Sequence, residues 1–488
     1  MRIAAIFKRM VMYALVGVVG FVLGAFALYA LKVRSGPPLE IWHTEDLSAV
    51  FTGENVEDVR TFDDYLRLEE KLFAQLDEQI YYHIGTGPAF ALARYSTGSI
   101  SDPRQWNPDW NRTFELPAKE AVGGVLLLHG MSDSPYSLRA LGQTLNRHGY
   151  HVVGLRYPGH GTIPSGLKRI LWEDMAAALR LAMKHLGTKV GTAPIHMVGY
   201  STGAPLAIQY ALEAPSKPAE PSPASLILIS PAIAITPAAV LAKWKGWLAH
   251  LPGLEKFAWT SILPEFDPYR YNSFAINAGY QVHRLTRSVV RSVEARSASG
   301  PLEDFPPTLV FLSTVDATVS VDAVIDNLLE HLAAGRHELV LFDINRQDVA
   351  KTILVSDPGP LTARLMSKPS LPFKLSLIAN ENAGSGNLVK KSKKALSSEI
   401  STEPLNTAWP TGVISLSHIA LPFPQDDPIY GRYPPKGSDR IFLGPIAIHG
   451  ERGLLRMSSD WLVRLRHNPF YDLLERKTLA WFESAQDQ

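Results

Sequence analysis

The longest apolar stretch of the chain lies near its N-terminus, where no charged residue occurs from Met10 to Leu31. About 20 apolar residues are enough to cross a bilayer as a helix, so this stretch is predicted to be a membrane-spanning helix. Three basic residues precede it and two follow closely. Because positive charge accumulates on the cytoplasmic side of a span, we expect a cytoplasmic N-terminus and the rest of the chain on the non-cytoplasmic, periplasmic side.

A cleaved signal peptide is the alternative interpretation of this stretch. Ala25-Phe26-Ala27 has the small-x-small form that cleavage needs, and cleavage there would give a secreted protein. However, the apolar run is longer than the usual core of a signal peptide, and Leu28 to Leu31 continues it past the site. An uncleaved anchor is therefore the preferred prediction.

Further along, from Val122, apolar runs alternate with segments of helical period. Runs that are apolar at consecutive positions are typical of strands buried on both faces. Their alternation with helices predicts an α/β fold with a mostly parallel sheet and helices on both of its faces. The predicted strands are 122–128, 150–155, 195–198, 226–229, 308–312 and 339–342, and the predicted helices are 138–147, 171–186, 204–212 and 321–332.

Two segments interrupt this alternation and are predicted to be insertions. Residues 237–299 are rich in Trp and have helical patterns, whereas 345–411 is too long for an ordinary loop, and a strand is expected there at about 373–378. A capping box at Thr61–Asp64 predicts a further helix, laid on the core. The predicted parts are a membrane anchor (1–35), an N-terminal extension packed on the core (36–115), the first half of the core (116–235), a helical cap (236–300) and the second half of the core with an insertion near 345–411 (301–488).

The pentapeptide Gly199-Tyr200-Ser201-Thr202-Gly203 lies between a predicted strand and a predicted helix. In that context the G-x-S-x-G pattern is typical of a nucleophile elbow, in which a sharp turn exposes a strained serine and the glycines leave room for the neighbouring chain. The helix that follows directs its free N–H groups at the place where negative charge develops. Ser201 is therefore the predicted nucleophile; a glycine-rich turn with a surface serine is the alternative.

Two more motifs precede the pentapeptide, His129-Gly130-Met131 at the end of a predicted strand and Arg156-Tyr-Pro-Gly-His-Gly161 after the next. Together the three resemble the α/β-hydrolase superfamily, and most closely its monoacylglycerol lipase, lysophospholipase and carboxylesterase branch, over about residues 122–332. The resemblance implies the α/β-hydrolase fold, with an oxyanion hole formed by the backbone N–H groups of Met131 and Thr202. His129 and His160 are interpreted as structural residues.

A serine hydroxyl needs a base to remove its proton and a third group to orient that base. In the α/β-hydrolase fold the acid follows the serine along the chain and the histidine comes last. Asp316, in the turn after the predicted strand 308–312, resembles the family's acid position. Asp322 is the runner-up, at the start of the next helix, where an acidic residue needs no special role.

Five histidines that follow Asp316 are candidates for the base. His331 is predicted within a helix and His337 just before a strand, so neither lies on a loop at the carboxyl edge of the sheet, where sites form. His418 follows the alternating run 413–417 and enters a Pro-rich loop, and it is the predicted base. It departs from the family pattern because the last predicted core strand ends much earlier, so the intervening segment must return to the sheet. The remaining candidates are His449 and His467.

Composition excludes several other kinds of function. Lys plus Arg (48) nearly balances Asp plus Glu (47), so no basic surplus favours nucleic acid as a partner. The chain has no cysteine, which excludes disulfides, thiolate metal sites and a cysteine nucleophile. Metal-ligand motifs, a P-loop and a dinucleotide fingerprint are also absent from the sequence, so no metal and no cofactor are predicted.

The sequence therefore predicts a membrane-anchored serine hydrolase that cleaves carboxylic esters, lipid-like ones because the site lies beside a bilayer. Apolar residues of the predicted cap could line an acyl pocket, although packing of the cap on the core is the commoner fate of such residues. The alternatives are a catalytically inactive binding module on the same fold and an acyltransferase with the same triad. Oligomeric state is left open. The candidate pocket residues are Trp244, Trp247 and Trp259, with Leu248, Leu251 and Phe257.

Overall fold

The computed structural model describes residues 2–55, 57–233, 246, 248–347, 357–444 and 465–486. Its N-terminal helix, from Ile6 to Arg34, is long and apolar enough to cross a membrane, and its most apolar window is not buried inside the structure. The helices in the described ranges include α1 (Arg2–Arg34), α2 (Ile41–Thr44), α3 (Phe62–Gln79), α4 (Tyr136–Arg147), α5 (Trp172–Val190), α6 (Gly203–Glu213), α7 (Ile276–Ser297), α8 (Val321–Asn327), α9 (Gly359–Ser367) and α10 (Tyr471–Gln486).

Most of the strands in the same ranges follow the predicted alternation with helices. They are β1 (Phe114–Leu116), β2 (Gly123–Leu128), β3 (Tyr150–Leu155), β4 (Ile195–Tyr200), β5 (Ser225–Ile229), β6 (Trp259–Ser261), β7 (Phe274–Ala275), β8 (Thr308–Ser313), β9 (His337–Phe342), β10 (Lys374–Asn380), β11 (Asn387–Lys393) and β12 (Ile400–Ala408).

Ten of these strands form one sheet, in the order β1-β3-β2-β4-β5-β8-β9-β10-β11-β12. The strands from β3 to β10 in this order pair in parallel, whereas β1 pairs antiparallel with β3, and β11 antiparallel with both β10 and β12. The chain runs from β2 to β3 on one side and then crosses to β4 on the other. This reversal at β2 is the kind of switch point where open α/β sheets form their sites. The predicted α/β-hydrolase fold is confirmed.

Successive residues of the central strands face opposite sides of the sheet, and this alternation separates two apolar cores. Leu126 and Leu128 of β2 belong to a cluster that is packed under α5, α6 and α7. Val125 and Leu127 belong to a second cluster, with residues of α4 and α10. A strand that is buried on both faces needs apolar residues at every position, which explains the continuous apolar runs in the sequence.

The predicted insertion 345–411 contributes three strands to the main sheet. β10 continues the parallel order beside β9, near the strand predicted at about 373–378. β11 and β12 then extend the sheet, although they are rich in Lys, Ser and Thr and β12 is almost entirely exposed. β12 is an exposed edge strand, and polar residues interrupt the apolar positions of β11, so neither strand has the hydrophobic period that predicts a strand.

The predicted helical cap is only partly helical in the described residues. α7 supplies its long helix, but β6 and β7 pair as a small antiparallel sheet, and extended chain connects them. The expectation of helices throughout 237–299 is therefore wrong for 259–275. Trp244 and Trp247 lie outside the described residues.

Candidate active site

Ser201 occupies a strained turn between β4 and α6. Its φ angle is +51°, in the left-handed region that residues with a side chain rarely adopt. The two glycines of the pentapeptide make the turn possible because any side chain would collide with backbone. A Cβ atom on Gly199 would lie 2.6 Å from the Ala204 backbone, and one on Gly203 would lie 2.0 Å from the Leu128 carbonyl oxygen.

The turn is also tied to the end of the neighbouring strand. The Ser201 N–H donates to the Ile229 carbonyl at 2.9 Å, and the Ala232 N–H donates to the Ser201 carbonyl at 3.1 Å. Both partners lie at or just beyond the carboxyl end of β5. The hydroxyl of Ser201 is therefore held by main-chain contacts at the edge of the sheet, where it is partly exposed.

Ser201, His418 and Asp316 form a continuous chain of hydrogen bonds. His418 Nε2 is 3.0 Å from Ser201 Oγ, and His418 Nδ1 is 2.8 Å from Asp316 Oδ2. A neutral imidazole that donates from Nδ1 to the carboxylate leaves Nε2 free to accept the serine proton. The structure thus brings together the three side chains that the sequence selected from different parts of the chain.

Asp316 lies in the turn after β8, with its side chain fully buried. Its Oδ1 accepts hydrogen bonds from the backbone N–H groups of Thr318 (2.8 Å) and Val319 (2.9 Å). Burial alone raises the pKa of this carboxyl, but the hydrogen bonds from His418 and from these two N–H groups outweigh it, and the net shift lowers the pKa. The carboxylate is therefore charged at neutral pH and holds the imidazole in one orientation.

His418 reaches the site through a loop that returns from the inserted strands to the core. The Asn345 N–H and side-chain amide donate to the carbonyls of Ile414 (2.7 Å) and Val413 (3.0 Å). The Ser313 hydroxyl donates to the Leu416 carbonyl at 3.0 Å, just before the histidine. Because Asn345 follows β9 and Ser313 ends β8, these bonds dock the loop on the carboxyl edge of the sheet.

The rival candidates in the described residues have other contacts. The side chain of Asp322 is half-exposed and pairs with Arg364. His331 lies in a short 3₁₀ turn, with Nδ1 2.7 Å from the hydroxyl of Ser297. His337 begins β9, and His467 is buried near the C-terminal helix. His449 lies outside the described residues.

Met131 and Thr202 flank the nucleophile, Met131 in the loop after β2 and Thr202 directly before α6. Within the described part of the chain, neither backbone N–H donates to a protein acceptor. Thr202 lies at the N-terminus of α6, where the helix dipole favours negative charge. These two N–H groups are suited to a developing oxyanion, which needs fixed donors that cost no rearrangement.

His129 and His160 are fully buried behind the loop after β2, residues 129–135, which is called the oxyanion loop here for the predicted role of Met131. His129 Nδ1 is 2.8 Å from the Gly130 carbonyl, and its Nε2 accepts from the Tyr157 N–H at 3.3 Å. His160 Nδ1 is 3.0 Å from the Pro158 carbonyl, and burial lowers the pKa of this imidazole to about 4. Both rings are neutral at physiological pH, and they fix the loops around the site.

Asp133 and Arg270 also lie beside Ser201, and the sequence pattern did not select them. A Cβ on Gly130 would lie 2.7 Å from Asp133 Oδ2 and 3.2 Å from Ser201 Cβ, so the carboxyl and the nucleophile border the same small space. Arg270 Nε is 3.4 Å from Asp133 Oδ1. Burial raises the pKa of Asp133 to about 6, although Arg270 acts in the opposite direction. The only sign of Asp133 in the sequence was its position two residues after the predicted oxyanion donor Met131. Its partner Arg270 lies far away in the sequence, in the predicted cap.

Trp259 is buried in an apolar cluster beside the oxyanion loop. This cluster contains Leu167, Ile170 and Tyr271, and Met131 packs against it. The ring of Trp259 also contacts His43, with 4.9 Å between ring centroids. Trp259 therefore borders the site through Met131, but it is part of a packed core, as the alternative interpretation of the cap residues expected.

Comparisons with known proteins agree with this fold. A family model described as serine aminopeptidase, S33, matches residues 119–345. A thermostable monoacylglycerol lipase from Bacillus sp. (strain H-257) is 33% identical over 94 residues, which are 19% of this chain and 37% of that protein. The chain thus aligns with little more than a third of that relative's length.

Two solved structures illustrate the structural likeness. One is a metagenome-derived lipolytic enzyme from a study of LipS and LipT, with 20% identity, a TM-score of 0.38 and coverage of 48% of this chain and 87% of that one. The other is the monoacylglycerol lipase of Paleococcus ferrophilus, with 22% identity, a TM-score of 0.36 and coverage of 47% and 88%.

The fold and the family match together define the class of protein. The family model matches residues 119–345, a little under half of the chain, and the chain has the α/β-hydrolase fold that its three motifs predicted. Its similarity is to hydrolases of the monoacylglycerol lipase and esterase type.

Proposed function

We propose that this protein is a serine hydrolase that cleaves carboxylic esters through an acyl-Ser201 intermediate. The observation that carries the proposal is the chain of hydrogen bonds from Ser201 through His418 to Asp316, with distances of 3.0 and 2.8 Å. A base within hydrogen-bond reach of the hydroxyl, oriented by a third group, is the arrangement that activates a serine.

In the first half of the reaction, Ser201 Oγ attacks the ester carbonyl carbon while His418 Nε2 takes the hydroxyl proton. The carbonyl oxygen becomes an oxyanion, which accepts hydrogen bonds from the Met131 and Thr202 N–H groups. The imidazolium, stabilised by Asp316, then donates its proton to the leaving alkoxide oxygen as the C–O bond breaks. The alcohol departs, and the acyl group remains on Ser201.

In the second half, water takes the place of the alcohol. His418 removes a proton from water, the hydroxide attacks the acyl carbon, and the same two N–H groups bind the second oxyanion. Collapse of this intermediate breaks the bond to Ser201 Oγ, which regains its proton from His418. The acid product leaves and the enzyme returns to its starting state.

We further propose that the substrate is lipid-like and that α1 is a retained membrane anchor with the body of the chain on the periplasmic side. Contacts between α1 and the body support retention, because they involve residues on both sides of the alternative cleavage site at Ala27. Phe26 and Tyr29 both contact the ring of Phe257, at centroid distances of 6.2 and 5.6 Å. The expected location is tested by the mass of the mature protein and by its resistance to extraction from membranes at high pH.

A fluorophosphonate probe and a short-chain ester test the catalytic proposal on the full-length protein. We expect the probe to label the wild type at Ser201, and we expect Ser201→Ala to lose both labelling and turnover. Ser222→Ala, which changes an exposed serine in the loop before β5, is the matched control and should keep both. Turnover that survives in Ser201→Ala would refute the nucleophile, and a wild type that does not react would indicate a binding module.

A further inference from the structure

The last turns of α1 are attached to one short stretch of the body. The rings of Phe26 and Tyr29 contact Phe257, and Lys256 Nζ donates to the carbonyls of Arg34 and Gly36, both at 2.8 Å. A lysine that caps the C-terminal carbonyls of a helix both satisfies them and complements the negative end of the helix dipole. The stretch around Phe257 therefore has a fixed position along the axis of the membrane-spanning helix, and so a fixed depth relative to the bilayer.

That depth can be estimated from the apolar run, which ends at Leu31. At a rise of about 1.5 Å per residue, Phe26 and Tyr29 lie roughly 3–8 Å before the end of the run. If the run fills the hydrocarbon core, which is about 30 Å thick, Phe257 lies at the boundary between acyl chains and headgroups. Tyr29 has the amphipathic ring that is enriched at this level.

The residues that precede Phe257 form a compact ridge, defined here as residues 248–257. Successive hydrogen bonds link Leu251 to Leu248 (3.0 Å), Leu254 to Leu251 (3.0 Å) and Phe257 to Leu254 (2.9 Å). An apolar residue thus occurs at every third position, and the exposed residues between them include His250 and Glu255. Leu251 is 45% exposed, and Leu248 and Leu254 are partly exposed. In water this exposure is unfavourable, whereas beside α1 a bilayer would cover it.

The same side of the molecule leads to the oxyanion loop. Leu39, only a few residues beyond the end of α1, packs against the cluster that contains Trp259 and that also contacts Met131. A cluster of packed apolar side chains therefore connects the end of α1 with Met131, one predicted donor of the oxyanion hole. This contact places the oxyanion loop on the side of the body that adjoins the membrane end of α1.

We propose that the ridge 248–257 is inserted in the membrane interface beside α1, so that the enzyme takes its ester from the bilayer that holds its own anchor. The occupant of this surface is the bilayer. The substrate class is a membrane-resident lipid ester, and this part of the inference rests on the proposed function. Insertion of the ridge itself does not depend on catalysis.

The absence of native cysteine makes insertion directly measurable. The full chain with Leu251→Cys, labelled with an environment-sensitive nitrobenzoxadiazole dye, is reconstituted into phosphatidylcholine vesicles that carry lipids spin-labelled near the headgroup end of the acyl chain. We expect strong quenching of this dye. Leu396→Cys is the control, because Leu396 is also exposed (62%) but lies on the turn between β11 and β12. Equal quenching at the two positions would overturn the proposal.

A second measurement addresses the source of the substrate. In Leu251→Glu, a carboxylate replaces the exposed leucine of the ridge, four residues before the native Glu255, and a charge at this position is costly inside the interface. We expect the ratio of the rate on a vesicle-embedded long-chain ester to the rate on a water-soluble short-chain ester to fall by about tenfold or more, whereas Leu396→Glu leaves it unchanged. An unchanged ratio in Leu251→Glu would reject uptake across the ridge.

The two tests separate the failure of insertion from the failure of the proposed chemistry. Quenching is measured equally well on a Ser201→Ala background, which has no turnover under the proposed mechanism. Quenching without any ester hydrolysis would keep the inserted ridge and reject the proposed function. Hydrolysis of soluble esters without quenching would keep the function and reject the ridge.

Discussion

Ser201 Oγ and His418 Nε2 lie 3.0 Å apart, yet the two side chains are positioned by very different parts of the structure. Five consecutive residues build the turn at Ser201, and the glycines on either side of it make the close approach to Leu128 and Ala204 possible. His418 is carried by a loop that follows three inserted strands, and its position depends on hydrogen bonds from Ser313 and Asn345 at the ends of distant strands. One partner is specified locally, and the other by the fold as a whole.

Because of this difference, mutations at the turn around Ser201 and in the loop that carries His418 should have different effects. A change at the turn acts on the spacing between β2, β4 and α6, so it should alter stability and activity together. A change in the returning loop should leave the sheet intact and displace only the base. The predictions below use this contrast, and they run from the largest expected effect to the smallest.

Removal of the base should lower kcat as much as removal of the nucleophile does. We expect His418→Ala to lower kcat by about 10⁶-fold, and Ser201→Ala with His418→Ala to lower it no further, because residues that act as a unit are not additive. The measurement is kcat on a short-chain ester, with His467→Ala as the control histidine. A double variant that is clearly slower than either single variant would show that the two side chains act independently.

Removal of the acid should lower kcat less than removal of the base does. In Asp316→Asn the amide no longer accepts from His418 Nδ1 as a carboxylate does, and we expect kcat to fall by about 10⁴-fold. Asp322→Asn, at the half-exposed runner-up position, should change kcat by no more than about twofold. If the two variants had equal activities, Asp316 would not be the orienting group.

Asp316→Asn should also show that Asp316 is charged, through the pH dependence of the free energy of unfolding. Because its folded-state pKa is below the ordinary value near 4, ionisation of this carboxyl stabilises the fold above that value, and the contribution is lost as the pH falls further. The free energy of unfolding of the wild type should therefore exceed that of Asp316→Asn at neutral pH, and the gap should narrow in acid. A gap that widened in acid would contradict the lowered pKa.

The two halves of the site also differ in how far they could be predicted from sequence. The strand, turn and helix around Ser201 are adjacent in the chain, so period and glycine spacing were sufficient. Strands β11 and β12 were not predicted because β12 is an exposed edge strand and polar residues interrupt the apolar positions of β11. Asp133 and Arg270 were not predicted because an ion pair between two distant segments leaves no local pattern in the sequence. His418 was selected by elimination and by its Pro-rich loop, whereas the bonds that hold this loop could not be foreseen.

The local side of the contrast can be tested at Gly203. A Cβ there would lie 2.0 Å from the Leu128 carbonyl oxygen, so Gly203→Ala must push β2 and α6 apart. We expect a loss of about 3 kcal/mol in the free energy of unfolding, with a loss of activity in parallel. Gly279→Ala is the matched control, because its Cβ in α7 would meet only Phe274, at 3.7 Å, and a helical alanine should stabilise slightly. Urea unfolding measures both, and equal stabilities would remove the steric argument for the turn.

The remote side can be tested at Asn345, whose side chain joins three segments. Its amide donates to the Val413 carbonyl at 3.0 Å, and its Oδ1 accepts from Gln347 and Asn380, both at 3.2 Å. Asn345→Ala should cost only about 1–3 kcal/mol of stability, because other contacts hold the sheet. Since this residue docks the loop that carries His418, we expect kcat to fall by about tenfold with little change in KM, and fluorophosphonate labelling to slow in proportion. If instead KM rose while kcat stayed constant, the returning loop would serve substrate binding rather than the position of the base, and the contrast between the two routes would not extend to catalysis.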